Sequence, residues 1–452
     1  MKRVLFVSYA FPPAGGAGVQ RGAKFVKYLP HWGWSPSVLV PSNPSVPVFD
    51  GTLASDMAAG TIVRRARTLE PPYAFKNGGS EKLREGSRLA RMVDAFKRVP
   101  RMAAAGLLQP DPAVLWAPAA VLEGRRLLLE LPHAAIVATG PPFSCFLIGR
   151  ALQRLSALPL VLDYRDEWDL SHRFLENRGK GALAIRLQHA MQRRVMRAAN
   201  AVIATTTRSV AALEQVRDEA GSRAPVVCIR NGFDADDFVD GAGACVREDQ
   251  SRYRLVYAGT LWNLTSVEPF VKAIRLFADR EPGLAARLEV VFAGRRTRDQ
   301  EALLRPLIDT PVRLVAHPYM DHGAALRLVR SADLLCALLT DAADAERVLP
   351  AKVFEYMASG RPILAIAPRG ELWEVLDRYP HAYRFVPSDI SGIATFLEGQ
   401  TASYQGEQSE RSPAWDASPY DRRHQAGQLA EVLDALADFE PVSLRRPVVS
   451  CT

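Results

Sequence analysis

The sequence predicts an α/β protein made of two doubly wound domains. Short apolar runs alternate with stretches of helical spacing, and this alternation stops near residue 240 and restarts near residue 255. Strands that alternate with helices in this way are typical of parallel sheets covered by helices. The length of 452 residues fits two or three domains.

The first domain begins with a buried strand expected at residues 4–8, followed by a loop rich in Pro and Gly. A helix is expected next, at residues 19–29, where apolar side chains recur at helical spacing among Arg and Lys. Further strands are expected at residues 37–40, 135–138, 160–163, 201–204 and 226–229, with helices at 143–155 and 185–199.

The second domain follows a connector at residues 240–251 that has no periodicity. Its strands are expected at residues 255–258, 288–292, 312–315, 333–338, 363–367 and 383–386. A polar loop at 399–418 precedes a final amphipathic helix at 423–437. We therefore assign residues 1–240 to an N-terminal domain, 252–415 to a C-terminal domain, 416–440 to a C-terminal helix and 441–452 to a tail.

The net charge of +8 is unevenly distributed, since 57 basic residues face 49 acidic ones over the whole chain. Residues 1–200 contain 28 Lys and Arg against 14 Asp and Glu, which is +14, and the remainder contains 29 against 35, which is −6. A basic surface suits nucleic acid, anionic lipid or sugar nucleotides. No nucleic-acid recognition motif accompanies it, so we expect no nucleic-acid partner.

The cysteines and the apolar runs indicate the compartment. Five cysteines stand at irregular spacing without a CxxC pair, which supports neither a disulfide framework nor a zinc site. No stretch approaches the roughly 20 apolar residues that span a bilayer. We expect a cytoplasmic protein, attached at most peripherally to the inner face of a membrane.

The first motif is the glycine loop at residues 12–21, which contains Gly15, Gly16 and Gly18 and opens the first helix. Glycines there allow a ligand to approach the backbone, and a helix N-terminus favours an anion. As a dinucleotide fingerprint the loop fails at its third glycine, where Arg21 stands. Two interpretations remain, a tight turn without ligand and a site for a phosphate or an acceptor.

The second motif lies just past a strand, where ligands of open α/β sheets bind. It contains Asp163, Arg165, Asp166 and Glu167, with His172 close by as a candidate base. The alternative is a solvated loop with an internal Asp–Arg pair. A third segment, at residues 227–234, contains an Asn-Gly turn and is interpreted as a domain hinge.

The fourth motif is a short helix expected at residues 352–357, stopped by Gly360 and Pro362. Lys352 and Glu355 are three residues apart and therefore share one helical face. That face could offer an ammonium to a phosphate and a carboxylate to two vicinal hydroxyls. An ordinary ion pair within the helix explains the spacing equally well.

Together these segments resemble the retaining family-4 glycosyltransferases of GT-B architecture. The matching motifs are FPPxGGxGVQR at 11–21, DYRDxW at 163–168, NGxDxxxF at 231–238, YAGTL at 257–261 and KxFEYMASGRPxLA at 352–365. They occur in the same order and cover roughly residues 3–440. The hinge and the last block are the most specific.

The resemblance implies two Rossmann-like domains that face a cleft, with the C-terminal helix packing back on the first. The nucleotide-sugar donor would be held mainly by the second domain, with Glu355 on the ribose hydroxyls and Lys352 near the diphosphate or sugar. Gly16, with Gly15 beside it, would let the first domain close over the diphosphate. Asp166 would orient the acceptor hydroxyl, which makes it the catalytic candidate.

The sequence departs from the family pattern at two places. The usual paired glutamates are eight positions apart, but eight before Glu355 stands Arg347, with Glu346 one place off. The usual Arg/Lys phosphate clamp is missing after Gly259. Arg295, Arg296 and Arg347 could replace that charge, and Thr260 and Arg165 are further possible site residues.

The resemblance predicts an enzyme of the hexosyltransferase type, which moves a sugar from a nucleotide-sugar to a hydroxyl with retention of configuration. It would act in surface polysaccharide or glycolipid synthesis and would need neither a metal nor a cofactor. Two alternatives are a GT-B sugar-nucleotide epimerase and a donor-binding pseudoenzyme.

The acceptor is expected to be a saccharide or a lipid-linked molecule. Basic amphipathic segments at residues 82–101 and 186–197 predict contact with an anionic membrane. Their alternative interpretation is as solvated faces of helices that pack on their own domain.

Overall fold

A computed structural model describes residues 1–73, 108–174, 181–238, 250–406 and 415–437. It contains two parallel sheets, of seven and six strands. Lying outside the described residues are the basic segment at 82–101, most of the connector, part of the polar loop and the tail. The two-sheet α/β fold expected from the sequence is confirmed, whereas the proposed domain boundaries stay a prediction.

The first sheet has the strand order β3-β2-β1-β4-β5-β6-β7, and all its neighbours are parallel. Its strands are β1 Lys2–Val7, β2 Trp34–Pro41, β3 Ile62–Ala66, β4 Ala135–Gly140, β5 Leu160–Tyr164, β6 Ala201–Ala204 and β7 Val226–Cys228. The inner strands are buried on both faces, which explains their continuous apolar runs. We call this sheet and its helices the first domain.

Strand β3 was not predicted from the sequence. It lies at the sheet edge, and its five residues include two arginines instead of a continuous apolar run. Arg64 forms ion pairs with Glu123 and Glu130 on the covering helix. Two carboxylates of the neighbouring helix thus compensate the charge of Arg64. The arginines interrupt the apolar run, which is why the sequence did not predict this strand.

The helices of the first domain pack on both faces of its sheet. They are α1 Ala17–Tyr28, α2 Ala117–Glu130, α3 Ser144–Ser156, α4 Trp168–Phe174, α5 Ala182–Ala198 and α6 Thr207–Glu219. One core lies under α2 and α3, and the other lies under α1. None of the described helices has the length and apolar character that crossing a bilayer requires.

The second sheet repeats the same topology, with the order β10-β9-β8-β11-β12-β13. Its strands are β8 Tyr253–Ala258, β9 Leu288–Ala293, β10 Arg313–His317, β11 Leu334–Leu338, β12 Ile363–Ile366 and β13 Ala382–Phe385. Its helices are α7 Glu268–Arg280, α8 Pro282–Ala285, α9 Arg298–Leu304, α10 His322–Arg330, α11 Lys352–Ala358, α12 Glu371–Leu376 and α13 Ile390–Ser403. We call this unit the second domain.

The final helix, α14 Arg422–Ala437, returns to the first domain, as the resemblance implied. Leu429 and Leu433 are fully buried in the core that also holds Phe25 of α1. The ring of Trp32 lies against Gly427, where a Cβ would come within 2.8 Å of it. A larger residue at this position would have to displace the Trp32 ring.

Side chains also join the two domains away from the hinge. Glu371, the fully buried first residue of α12, accepts a hydrogen bond from the backbone N–H of Arg208 at 2.8 Å and pairs with Arg230 at 2.8 Å. A carboxylate of the second domain thus caps a helix of the first. This contact fixes one side of the cleft in which the candidate site lies.

Candidate active site

The carboxyl ends of both sheets face a cleft that contains two adjoining cavities. The Glu355 cavity, of about 170 Å³, lies between the glycine loop and α11. The Glu167 cavity, of about 360 Å³, lies between the loop after β5 and residues 347–352 of the second domain. The walls of both include Gly259, Thr260 and Lys352, so the two cavities meet there.

Lys352 is the first residue of α11 and stands where the two cavities meet. Its ammonium lies 3.3 Å from the ring centroid of Tyr257, a cation–π contact. It forms no ion pair or hydrogen bond with any residue that the structure describes. Burial lowers the pKa of Lys352 to about 7. An anion that enters the cleft would stabilise the charged form of this group further.

Gly259 leaves room for this ammonium. A Cβ at Gly259 would stand 3.1 Å from Nζ of Lys352, and the residue has a φ of +140°. The φ favours glycine, and the missing side chain leaves room for the ammonium of Lys352 at the cleft.

Glu355 lies one helical turn after Lys352 and lines the Glu355 cavity. The ion pair within the helix that the sequence left open does not form. Its carboxylate instead faces His322, with 3.9 Å between Oε1 and Nε2. Burial raises the pKa of Glu355, and the His322 charge opposes that rise.

His322 was missed by sequence analysis. It is the first residue of α10, and its Nε2 lies 3.2 Å from Oδ2 of Asp237 in the NGxDxxxF motif. Burial works to lower the pKa of His322, but Glu355 and Asp237 outweigh burial and raise it. A single histidine in no motif gives no sequence signal.

Asp50 was missed for the same reason. Its Oδ2 accepts hydrogen bonds from Tyr319 at 3.2 Å and from the backbone of His322 at 3.3 Å. Burial works to raise the pKa of Asp50, but hydrogen bonds from Thr52, His322 and Tyr319 lower it. This carboxylate of the first domain thus binds the start of helix α10 in the second domain.

The glycine loop lies against the second domain. Gly16 lines the Glu355 cavity with a φ of +99°, a conformation that favours glycine. A Cβ on Gly15 would come within 2.9 Å of the hydroxyl of Tyr319. The loop therefore closes one side of the cavity, and a larger residue at position 15 would have to displace the Tyr319 side chain.

The two adjacent arginines after β9 have different environments. Arg295 lines the Glu355 cavity, and its Nη2 donates to the hydroxyl of Tyr73 at 3.1 Å. Arg296 donates to the carbonyls of Gly294 and His317, at 2.9 and 2.7 Å, and lies in neither cavity wall. Arg295 can therefore meet a ligand, whereas Arg296 fixes the loop.

The loop after β5 forms one wall of the Glu167 cavity. Arg165 donates to the carbonyls of Gly18 and Pro141, which ties the loop to the glycine loop. Asp166 is exposed to the cavity, and among the described residues nothing donates a hydrogen bond to its carboxylate. Its oxygens are available to a ligand. His172 lies in α4, but its side chain is outside the described atoms.

Arg347 holds Glu167 across the cleft. Its Nη1 lies 3.1 Å from Oε2 of Glu167, and its Nη2 lies 2.9 Å from Oδ1 of Asp344. Glu167 also accepts a hydrogen bond from Ser209 at 2.7 Å. Burial raises the pKa of Glu167 to about 7. The contacts with Glu167 and Asp344 thus occupy both terminal nitrogens of Arg347, which leaves few donors for a phosphate.

Two Rossmann-like domains with a cleft between their carboxyl ends define the GT-B class of protein. Residues 15–232 match the family described as "Glycosyl transferase 4-like domain". This match confirms the resemblance to family-4 glycosyltransferases of GT-B architecture. No curated protein matches the sequence.

Solved structures share the whole fold. Anabaena HepE in complex with UDP-glucose is 14% identical, with a TM-score of 0.58 over 96% of this chain and 100% of that one. A trehalose-phosphate synthase (UDP-forming) of Burkholderia xenovorans with glucose-6-phosphate is 13% identical, with a TM-score of 0.57 over 96% and 98%. The S. aureus MnaA–UDP structure is 11% identical, with a TM-score of 0.51 over 97% of both chains. At these identities the likeness shows the fold.

Proposed function

We propose that this protein transfers a sugar from a nucleotide-sugar to an acceptor hydroxyl with retention of anomeric configuration. The observation that carries this proposal is the ammonium of Lys352, which lies in the cleft without a carboxylate partner. Burying an unpaired charge is costly, so a ligand with negative charge is its natural partner. The diphosphate of a nucleotide-sugar supplies that charge.

The rest of the donor fits the Glu355 cavity. The carboxylate of Glu355 is suited to accept hydrogen bonds from the two hydroxyls of a ribose. Arg295 adds a second positive charge, and Gly16 lets the backbone of the first domain approach the diphosphate. Because HepE and MnaA are described with UDP-glucose and UDP, a UDP-sugar is the first donor to test.

In the proposed reaction the bond between the sugar and the diphosphate breaks, and the leaving diphosphate gains negative charge. Lys352 stabilises that charge in a cleft that closes against water. The acceptor hydroxyl attacks from the same face while Asp166 orients it, and the leaving phosphate takes its proton. This course uses no metal ion and no cofactor.

The acceptor is proposed to be a lipid-linked saccharide at a membrane surface. Helix α5 exposes Leu183, Ile185 and Leu187, with exposed fractions of 81%, 42% and 42%. Arg186, Arg193 and Arg194 lie on the same helix. An apolar and basic surface of this kind binds anionic bilayers.

The membrane part of the proposal has its own test. We expect the protein to cosediment with vesicles containing anionic lipid at low salt, and Leu183→Glu to weaken this binding. Leu129→Glu is the matched control, because Leu129 is 75% exposed on α2. If none of the three proteins binds the vesicles, the proposed contact with a membrane is refuted.

A panel of UDP-, GDP- and dTDP-sugars tests the donor site, with binding, slow hydrolysis and release of the nucleoside diphosphate as readouts. A transferase binds one donor class and hydrolyses it slowly without an acceptor. An epimerase instead inverts one centre of the sugar and releases it again as a nucleotide-sugar. A pseudoenzyme binds the donor without turnover. Absence of binding across the panel would refute the donor site.

A further inference from the structure

Arg422 is a buried cation that sequence analysis did not single out. It is the first residue of α14, its side chain lines the Glu355 cavity, and only 4% of the residue is exposed. Its Nη1 donates to Oε1 of Gln425 at 3.2 Å. Among the described residues, no carboxylate oxygen lies within 4.0 Å of its guanidinium.

The backbone fixes where this side chain points. The N–H of Arg422 donates to the carbonyl of Phe233 in the hinge at 2.9 Å, and the N–H of Phe233 donates to the carbonyl of Tyr420 at 3.0 Å. At Gly232 a Cβ would come within 2.0 Å of the carbonyl oxygen of Tyr420. The Asn-Gly turn thus accommodates the start of α14, which places Arg422 at the cavity.

A comparison with Arg21 shows what is missing around Arg422. Arg21 is 1% exposed, and its guanidinium forms a close pair with Asp163 at 2.8 Å. Buried guanidinium groups need such a partner because they lose their hydration. Arg422 has an amide oxygen in place of a carboxylate, so its charge is left for whatever occupies the cavity.

We propose that Arg422 binds the diphosphate of the donor together with Lys352, an inference that rests on the function proposed above. The cavity wall contains both cations, and a diphosphate has enough negative charge for two. Because α14 packs on the first domain, the diphosphate is then bound by groups on both sides of the cleft. Arg422 thus takes over part of the missing phosphate clamp.

The experiment measures the binding of UDP, UMP and uridine by calorimetry to the full chain and its variants. Arg422→Gln is expected to weaken UDP binding about 10- to 100-fold and to leave uridine binding unchanged, because only the phosphates touch the guanidinium. Arg423→Gln is the matched control. Arg423 is the next residue, and its side chain is 53% exposed. The Arg423→Gln variant should therefore bind UDP as the unchanged protein does.

The outcomes separate the inference from the proposed function. UDP binding that survives Arg422→Gln but is lost in Lys352→Met overturns the role of Arg422 and keeps the donor site. Failure of the unchanged protein to bind any nucleoside diphosphate overturns both. A loss of uridine binding equal to that of UDP also overturns the inference, because it indicates general damage.

Circular dichroism and thermal unfolding check that Arg422→Gln folds. If it does not fold, Arg422→Lys keeps the charge but loses the planar fork that binds phosphate oxygens in pairs. This variant is expected to bind UDP several-fold more weakly and uridine equally well. Equal affinity for UDP would then overturn the contact.

Discussion

In the Glu167 cavity Arg347 and Arg21 pair with carboxylates, whereas in the Glu355 cavity Lys352 and Arg422 have no such partner among the described residues. Arg347 pairs with Glu167 at 3.1 Å, and Arg21 pairs with Asp163 at 2.8 Å. Lys352 lies over a tyrosine ring, and Arg422 contacts an amide. The two cavities meet at Lys352, and the Glu355 cavity adds Arg422, a second cation without a carboxylate partner among the described residues.

This difference assigns a kind of ligand to each cavity in the proposed function. A cavity with unneutralised cations suits the charged diphosphate of the donor. The Glu167 cavity combines neutralised charges with apolar side chains such as Leu170, Trp262 and Leu349. Such a wall suits the rings and hydroxyls of a neutral sugar, and Asp166 offers free oxygens there.

The largest effect is expected from Lys352→Met. Removing a buried cation that contacts a phosphate costs about 2–5 kcal/mol, so UDP binding should weaken by about 30-fold or more. Arg305→Met, on the same domain but in neither cavity wall, is the control. Calorimetry measures both, and unchanged UDP affinity in Lys352→Met would contradict the comparison between the cavities.

Lys352 also predicts a proton signature. Its pKa is lowered to about 7 in the free protein, from an ordinary value of 10.5, so at pH 8 the side chain is mostly neutral. A bound diphosphate favours the charged form, so binding should take up nearly one proton at pH 8 and weaken as pH rises above 7. Calorimetry in buffers of different ionisation enthalpy measures this uptake, which Lys352→Arg should abolish.

Much of the fold and part of the site can be predicted from the sequence, because buried parallel strands read as apolar runs. Strand β6 was predicted at its observed bounds. Strand β3 was not predicted, because arginines interrupt the apolar run of this edge strand. Motifs on continuous backbone located Lys352 and Glu355. His322 and Arg422 come from distant segments that meet only in the folded chain, so no local pattern marks them.

The next effect concerns stability and tests the ion pair between Arg347 and Glu167 in the Glu167 cavity. Arg347→Met leaves the buried carboxylate of Glu167 without its ion pair, which should lower the free energy of unfolding by about 1–3 kcal/mol. Arg208→Met is the matched control, because Arg208 pairs with Glu374 across the same two domains but is 43% exposed. Exposed pairs contribute only about 0–1 kcal/mol.

Urea unfolding measures both variants. Equal destabilisation by Arg347→Met and Arg208→Met would mean that burial does not strengthen the Arg347–Glu167 pair. Combining Arg347→Met with Glu167→Gln should recover part of the loss, since the amide carries no charge. The comparison between the cavities predicts this rescue.

A smaller effect is expected from Glu355→Gln on the selection of ribose. The carboxylate can accept hydrogen bonds from both ribose hydroxyls, so the unchanged protein should prefer UDP over 2′-deoxy-UDP by about 10-fold. In Glu355→Gln this preference should shrink to about 3-fold, while Glu346→Gln, which lies in neither cavity wall, should keep it. An undiminished preference would refute the ribose role.

The last effect is a pH dependence of stability that belongs to Glu167. Its pKa is raised by burial from 4.5 to about 7, so between these values the native protein keeps a proton that the unfolded chain releases. The free energy of unfolding should therefore fall as pH rises through this window, by about 1 kcal/mol per pH unit. Glu167→Gln removes the titrating group. The difference in the free energy of unfolding between the two proteins, measured with urea from pH 5 to 8, therefore gives the contribution of Glu167. A difference that does not change with pH would mean that Arg347 holds Glu167 ionised throughout, and the neutralisation of the Glu167 cavity would then be complete at every pH tested.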